Sequence, residues 1–467
     1  MTYTDDAATV DAWTALGGRA ELAAGVRYDG AGDVLPARLP VRELARACVG
    51  ACSLAAAELL ALRNGIPVPA VRVNEAAVAT AFVSERHLRI DGRAPTAFAP
   101  LSGFWRADDG WVRTHANYPH HRARLLNALG IQDTGDDQEL ALALARTLAS
   151  RLVRSVQEDV YARGGLAVAV AESPDAGAHL LDGRPLVTMR RTPATGGAGG
   201  ALSRALPPGP LPASGVRVLD LTRVIAGPVA TRTLALLGAD VLRVDPPSPR
   251  EDADAHTDTG MGKRSTLLDL TAAEDRRTFE TLLDTADVVV TGYRPGALDR
   301  HGLAPEALLA RRPGLVVAHL RAWGGSEPWA RQRGFDSLVQ AASGIAAIER
   351  GSDGRPGVLP AQALDHGTGY LLAAGVLRAL SERQSDGRGA ELGFSLAGTA
   401  AWLVRGVTST PVPAGDADPE LWLAETDSDY GRLRYALPPV HYEGAPRTWA
   451  RASTRWGSDL PRWTGPN

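Results

Sequence analysis

The residues of this 467-residue chain best suited to chemistry lie in its second half. Asp365 stands before His366-Gly367-Thr368-Gly369 and a long apolar run. From residue type alone it reads as a helix N-cap as readily as a reactive carboxylate. The turn Thr222-Arg223-Val224-Ile225-Ala226-Gly227-Pro228 follows an apolar strand and opens a helix, and Asp245 ends the next strand, where a ribose-binding acid would sit. The turn offers one glycine instead of the Gly-x-Gly-x-x-Gly fingerprint, and Pro228 lacks the N–H a pyrophosphate would use. Nicotinamide-dependent redox chemistry is therefore poorly supported, and no Gly-x-x-x-x-Gly-Lys-Ser/Thr loop is present. Asp336 reads as an acid that orients a loop or caps a helix, and His366 as a weak acid/base candidate. Cys48 and Cys52, four apart, read as buried apolar packing. His115, His120 and His121 read as a surface loop, so no metal site is expected.

The elements that must position these residues follow from periodicity. An Ala/Leu-rich helix is expected over 40–63, a short strand or helix over 71–83, and a hairpin about Asp109-Gly110 with a helix running to Gly130. A helix over 137–164 and a strand at 167–171 come next. Residues 192–214 are rich in Gly, Pro and Ala and read as a linker. Strands at 216–221, 239–245, 287–293, 314–320 and 390–396 then alternate with helices at 227–238, about 272–285 and 365–383. That alternation implies an α/β fold with a doubly wound, parallel, Rossmann-like sheet, accompanied by a second, smaller α+β domain. The expected organisation is a helical or connecting segment at 1–95, the smaller domain at 96–190, the linker at 191–214, the Rossmann-like domain at 215–400 and an extended tail at 401–467. A faint repeat links LPVRELARACVG (39–50) with LPAQALDHGTG (359–369), placing Arg46 about where Asp365 lies in the second copy.

Composition narrows the function classes. A net charge of −3 and the lack of a basic cluster argue against nucleic acid as a partner. Two cysteines in so long a chain fit a reducing compartment. No run approaches 18 uninterrupted apolar residues, and the acidic N-terminus lacks signal-peptide character, so a soluble, cytoplasmic protein without membrane attachment is expected.

The segment VLDLTRVIAGPVATRTLALLGADVLRVDPP resembles the opening of class III CoA-transferases, the family of the carnitine dehydratase and bile-acid-inducible proteins. The resemblance continues through GKRSTLLDL (262–270), ADVVVTGYRPGALDRHGL (286–303), GFDSLVQAASGIA (334–346) and ALDHGTGYLLAAGVLRAL (363–380). PLSGFWRADDGWVRTHAN resembles the family's smaller domain, but here it precedes the catalytic part. The chain therefore reads as a fused or permuted form with a degenerate first copy.

The resemblance implies that Asp365 is the catalytic carboxylate. It would carry CoA from an acyl-CoA to a carboxylic acid through an aspartyl-CoA thioester, as in formyl-CoA transferase-like enzymes. Val224, Ile225, Ala226, Arg243, Lys263, Arg264, Tyr293 and Arg294 match the family's CoA-binding positions, while Pro246-Pro247 stand where a basic residue is often found. Backbone donors near Gly367 and Gly369 are candidates for oxyanion stabilisation. No permanently bound cofactor is implied, coenzyme A and acyl-CoA entering as substrates, and the implied assembly is a homodimer. A monomer using its degenerate half as a built-in partner is the alternative. Racemases of the family carry Gly-His-Asp where this chain has Gly334-Phe335-Asp336, and phenylalanine moves no proton, so epimerisation or isomerisation ranks second. A non-catalytic CoA-binding protein is the other alternative. Arg46 in place of an aspartate implies one active site per chain.

Overall fold

The computed structural model describes residues 2–3, 6–95, 98–193, 205–325 and 329–465. Its centre is a seven-stranded sheet. Six strands, Arg217–Leu221, Asp240–Asp245, Arg264–Leu267, Val288–Thr291, Val316–Arg321 and Ala390–Ser395, are parallel. Taken in chain order as one to six, they lie 3-2-1-4-5-6 across the sheet. This is the doubly wound arrangement, with its switch point between Arg217–Leu221 and Val288–Thr291. Both faces are covered, so the strands are nearly all apolar. Val218, Val290 and Val316 enter one core, while their neighbours Leu219, Val289 and Val317 enter another on the opposite face.

The sequence reading captures this architecture and misses two strands. Arg264–Leu267 forms the third parallel strand. Thr188–Arg191 pairs antiparallel with Ala390–Ser395, so the last stretch before the linker joins the central sheet rather than the smaller domain. It is a short polar edge strand whose partner lies some 200 residues on, and no local pattern marks it. The 137–164 helix is in fact two, Asp137–Ala149 and Val153–Ala162. Of the linker, 194–204 lies outside the described residues.

Two 24-residue helices, Val41–Asn64 and Ala363–Asp386, pack side by side. They run in the same direction: Leu44 meets the first helix's counterpart at Gly367, and Glu58 pairs with Arg378 farther along. Each ends on a left-handed glycine, Gly65 and Gly387. Val41–Asn64 is long and apolar enough by length and composition to cross a membrane, but it is buried within the core. That core is continuous from Ala8 to Trp449, so the N-terminal segment, the Rossmann-like domain and the tail share it. Residues 101–167 close a separate core around the three-stranded sheet Phe104–Arg106, Trp111–Thr114 and Ala167–Ala169.

Candidate active site

Asp365 occupies the third position of the Ala363–Asp386 helix rather than its N-cap, which is Gln362. The cap comes from another element. Asp336, opening the Asp336–Ala342 helix, accepts the N–H of Leu364 (2.9 Å) and of Asp365 (3.0 Å) on Oδ2. Its Oδ1 accepts from the Gln340 side-chain amide, and Gln340 Oε1 in turn holds the Leu359 N–H at 3.0 Å. Asp365 is thus not the N-cap it could have been; Asp336 fills that capping role, and the orienting role expected of Asp336 falls on the helix that carries Asp365.

The Asp365 carboxyl itself is only 7% exposed, and no hydrogen bond to it is found among the described residues. Burial first, then the charges of Asp336 and Glu85, push it well above the ordinary carboxylate range. A helix start favours an ionised carboxylate, but with the nearest N–H groups taken by Asp336, desolvation wins here. Burial also raises Asp336, to about 6, against the opposing pull of its N–H donors. His366 Nε2 lies 3.5 Å from Glu85 Oε2, and the imidazole stacks on Phe82 with centroids 5.4 Å apart. Burial raises Glu85, but its contact with His366 outweighs this and leaves the carboxyl lowered.

Gly367 and Gly369 lie beyond the first helical turn, where N–H groups pair with carbonyls four residues back. Their visible role is close packing. A Cβ on Gly369 would come within 2.6 Å of the Ala226 carbonyl oxygen, and one on Gly367 within 3.1 Å of Leu44 Cδ2.

The carboxyl ends of the parallel strands gather most of the remaining candidates. Val224, just past Arg217–Leu221, has φ +72°, a left-handed backbone that is strained for a β-branched residue. Ile225 is the N-cap of the Ala226–Leu236 helix and gives no side-chain cap, so the first N–H groups lack a side-chain acceptor there. Across the switch point stand Tyr293, half-buried with its hydroxyl raised by burial to about 12, and Arg294, exposed. The other cations are buried and internally paired. Arg243 binds Asp245 (2.7 Å), Glu251 (2.9 Å) and His256 Nδ1 (3.2 Å). Lys263 Nζ bonds Asp220 at 3.0 Å and Thr231 Oγ1 at 2.6 Å, and burial lowers it to about 8 against the pull of Asp220. Arg264 bonds Asp240 at 2.7 Å and the Arg462 carbonyl. The structure therefore brings Val224, Ile225, Ala226, Tyr293 and Arg294 to one rim with Arg243 and Lys263 beneath it, whereas Arg264 opens its strand and turns to Asp240 at the amino end of the neighbouring one, away from the rim.

Sequence reasoning missed the contribution of the smaller domain. His115 and His121 are buried, not on a surface loop. His115 stacks on Phe335 at 3.8 Å, beside Asp336, and Tyr118 donates to Glu251 at 2.7 Å. Burial lowers His115 to about 3 and His121 to about 2, so both rings are neutral. Among the described residues no group of three or more His, Cys, Asp or Glu is placed to hold a metal. Cys48 and Cys52 are free and buried, and burial raises both thiols.

Comparison with known proteins matches residues 213–421 to the family described as CoA-transferase family III. A probable fatty acyl-CoA transferase of Mycobacterium tuberculosis is 35% identical over 189 residues, covering 38% of this chain and 48% of that protein. A formyl-CoA:oxalate CoA-transferase of Escherichia coli O6:H1 is 33% identical over 197 residues, covering 40% and 47%. A crystal structure of a CAIB/BAIF family protein from Brucella suis aligns at 27% identity and a TM-score of 0.37, covering 47% of this chain and 64% of that one. The chain spans about half the length of the curated relatives it matches. The segment that matches CoA-transferase family III is thus the one that builds the parallel sheet, the switch point and the Asp365 helix.

Proposed function

We propose that the chain transfers CoA from an acyl-CoA donor to a carboxylic acid through covalent intermediates on Asp365. The observation that carries this reading is the state of that side chain: a buried carboxylate with no hydrogen-bond donor found for it among the described residues and two carboxylates acting on it. Once ionised, such a group is poorly solvated and strongly nucleophilic.

The ionised Asp365 oxygen attacks the donor thioester carbonyl, the C–S bond breaks, and a mixed anhydride and CoA thiolate result. The thiolate attacks the aspartyl carbonyl of the anhydride, releasing the donor acid as carboxylate and leaving an aspartyl-CoA thioester. The acceptor carboxylate attacks that thioester and expels the thiolate. The thiolate then attacks the acceptor carbonyl of the second anhydride, giving the new acyl-CoA and free Asp365. Asp336 holds the helix start throughout, fixing the backbone that carries the nucleophile.

In this reading CoA, a substrate rather than a resident cofactor, lies along the Val224-Ile225-Ala226 turn, with Tyr293 and Arg294 across from it. The strain at Val224 supports such a role, because strained backbone gathers at binding loops. Arg243 and Lys263 act beneath the rim through their carboxylate partners, while Arg264, matched to the family's positions by sequence, braces the amino end of the Asp240–Asp245 strand instead. We carry a cytoplasmic homodimer as part of the proposal; light scattering tests the assembly, and a monomer of 49.1 kDa overturns that part.

Intact-protein mass spectrometry after incubation with a panel of acyl-CoAs, with peptide mapping and hydroxylamine release, tests the chemistry. The expected result is an acyl or CoA adduct on Asp365 that is absent from Asp365→Ala. Binding without any adduct overturns the covalent mechanism. Deuterium wash-in at the substrate α-carbon without CoA exchange would instead establish an epimerase.

A further inference from the structure

Arg113 lies in the middle of the smaller domain's Trp111–Thr114 strand, opposite Phe104 on one side and Val168 on the other. Its strand neighbour Val112 points into the smaller domain's own core, so Arg113 faces the other way, toward the Asp336–Ala342 helix. The residue is only 6% exposed, and no hydrogen bond or ion pair to its guanidinium is found among the described residues. The guanidinium carbon sits 4.9 Å from the Phe104 ring centroid and 5.5 Å from that of Phe98. The negative group whose charge reaches it is Asp336, and both Asp336 oxygens are already taken, by the Gln340 amide and by the N–H groups of Leu364 and Asp365.

Burying an unpaired cation costs a protein stability unless something answers the charge. A guanidinium offers five N–H donors in a rigid fork that matches a carboxylate, and flanking phenyl rings hold its plane in place. Here the fork stands at the junction of the two domains, opposite the residue that anchors the Asp365 helix. We infer that Arg113 receives a carboxylate of the substrate that does not react, so the acids handled by this site are dicarboxylates. The inference rests on the CoA-transfer reading, in which one carboxyl must reach Asp365. A carboxylate gripped by Arg113 would make a weakened nucleophile, which assigns Arg113 to the other end of the molecule. Burial lowers Arg113 only to about 10, so it keeps its charge at neutral pH.

The test compares succinate with butyrate and their CoA thioesters, which differ by one carboxylate. Succinate raises the melting temperature of the wild-type protein and leaves Arg113→Met unmoved, while butyrate shifts neither. Succinyl-CoA labels Asp365 faster than butyryl-CoA, and Arg113→Met reduces that preference by about tenfold or more, the worth of a charge-assisted hydrogen bond. Arg113→Met itself melts at or above the wild type, since an unpaired buried charge is replaced by an apolar chain; a purely structural Arg113 would give the reverse. Should Arg113→Met not fold, Arg113→Lys keeps the charge but not the fork and loses most of the succinate shift. Equal responses to succinate and butyrate, or a succinate shift undiminished in both variants, overturn the inference. If no acyl-CoA labels Asp365 while succinate still stabilises through Arg113, the CoA-transfer reading fails and the carboxylate site stands.

Discussion

Asp336 and Asp365 sit at one helix start with opposite tasks, and the difference lies in their partners. Asp336 spends both oxygens on amide donors, whereas among the described residues no donor is found for the Asp365 carboxyl. Both acids are raised in the folded chain. They hold protons that the unfolded chain, with aspartates near pH 3.9, has already released. Their contribution to stability is therefore greatest at low pH and is lost as pH rises through the folded values. Under the proposed mechanism labelling runs the other way, because there only ionised Asp365 attacks. We predict that the rate of adduct formation climbs with pH well above the ordinary carboxylate range. In Asp336→Asn one repelling charge is gone, so the climb moves to lower pH, at a stability cost of about 1 kcal/mol for the altered cap. A pH–labelling profile unmoved by this substitution would sink the electrostatic account. At this scale the sequence singled out Asp365 and the cations as candidates, but not the pairing of Lys263 with Asp220, 43 residues earlier, nor the burial of Arg113, His115 and His121. A run such as Pro119-His120-His121-Arg122 reads as polar surface; only the docking of one domain on another turns it inward.

At the scale of elements, the site depends on how closely the Ala363–Asp386 and Ala226–Leu236 helices approach. Gly369 permits that approach. Its missing Cβ would lie 2.6 Å from the Ala226 carbonyl and 2.9 Å from Val229 Cβ, atoms that move only if the helix and its strained turn move. Gly369→Ala should cost about 1–3 kcal/mol in urea unfolding, the range for overpacking. It should also weaken CoA binding by isothermal titration, because the Val224–Ala226 turn shifts with the helix. Gly367→Ala meets the flexible end of Leu44 at 3.1 Å and should be milder on both counts. Equal effects would show that the turn does not depend on this contact. The parallel strands and long helices were legible because burial on two faces writes continuous apolar runs. Arg264–Leu267 was not, because its Arg-Ser-Thr start is polar and its burial depends on the tail, which supplies Asp459 to the Ser265 N–H at 2.9 Å. Trp449, Trp456 and Trp463, seven apart, anchor the tail. The structure shows Trp449 donating to the Arg232 carbonyl (2.8 Å), Trp456 to Asp245 (3.1 Å) and Trp463 to Thr285 (2.9 Å).

For the molecule as a whole, the faint repeat becomes two parallel helices of equal length doing unlike work. Counted from the helix starts, the counterpart of Asp365 is Glu43, with Arg46 one turn farther on. Burial raises Glu43, but the Thr410 N–H, the Arg42 guanidinium and the Thr410 hydroxyl together leave it lowered, a satisfied carboxylate rather than a reactive one. Arg46 is buried against Asp6 (2.6 Å) and Glu75 (2.9 Å), tying the start of the chain to its first long helix. The first half therefore lends support, not a second nucleophile, and one adduct per chain is expected. Its support is energetic. Arg46→Met leaves two carboxylates buried without their cation, which should cost about 3–5 kcal/mol. Because one core runs from Ala8 to Trp449, that loss should not stay in the first half. In urea, the loss of circular dichroism and the loss of acyl-CoA labelling at Asp365 should move together to lower denaturant. If labelling instead persists at the wild-type midpoint while the N-terminal helix unfolds, the two halves are separable and the first is not a structural partner of the site.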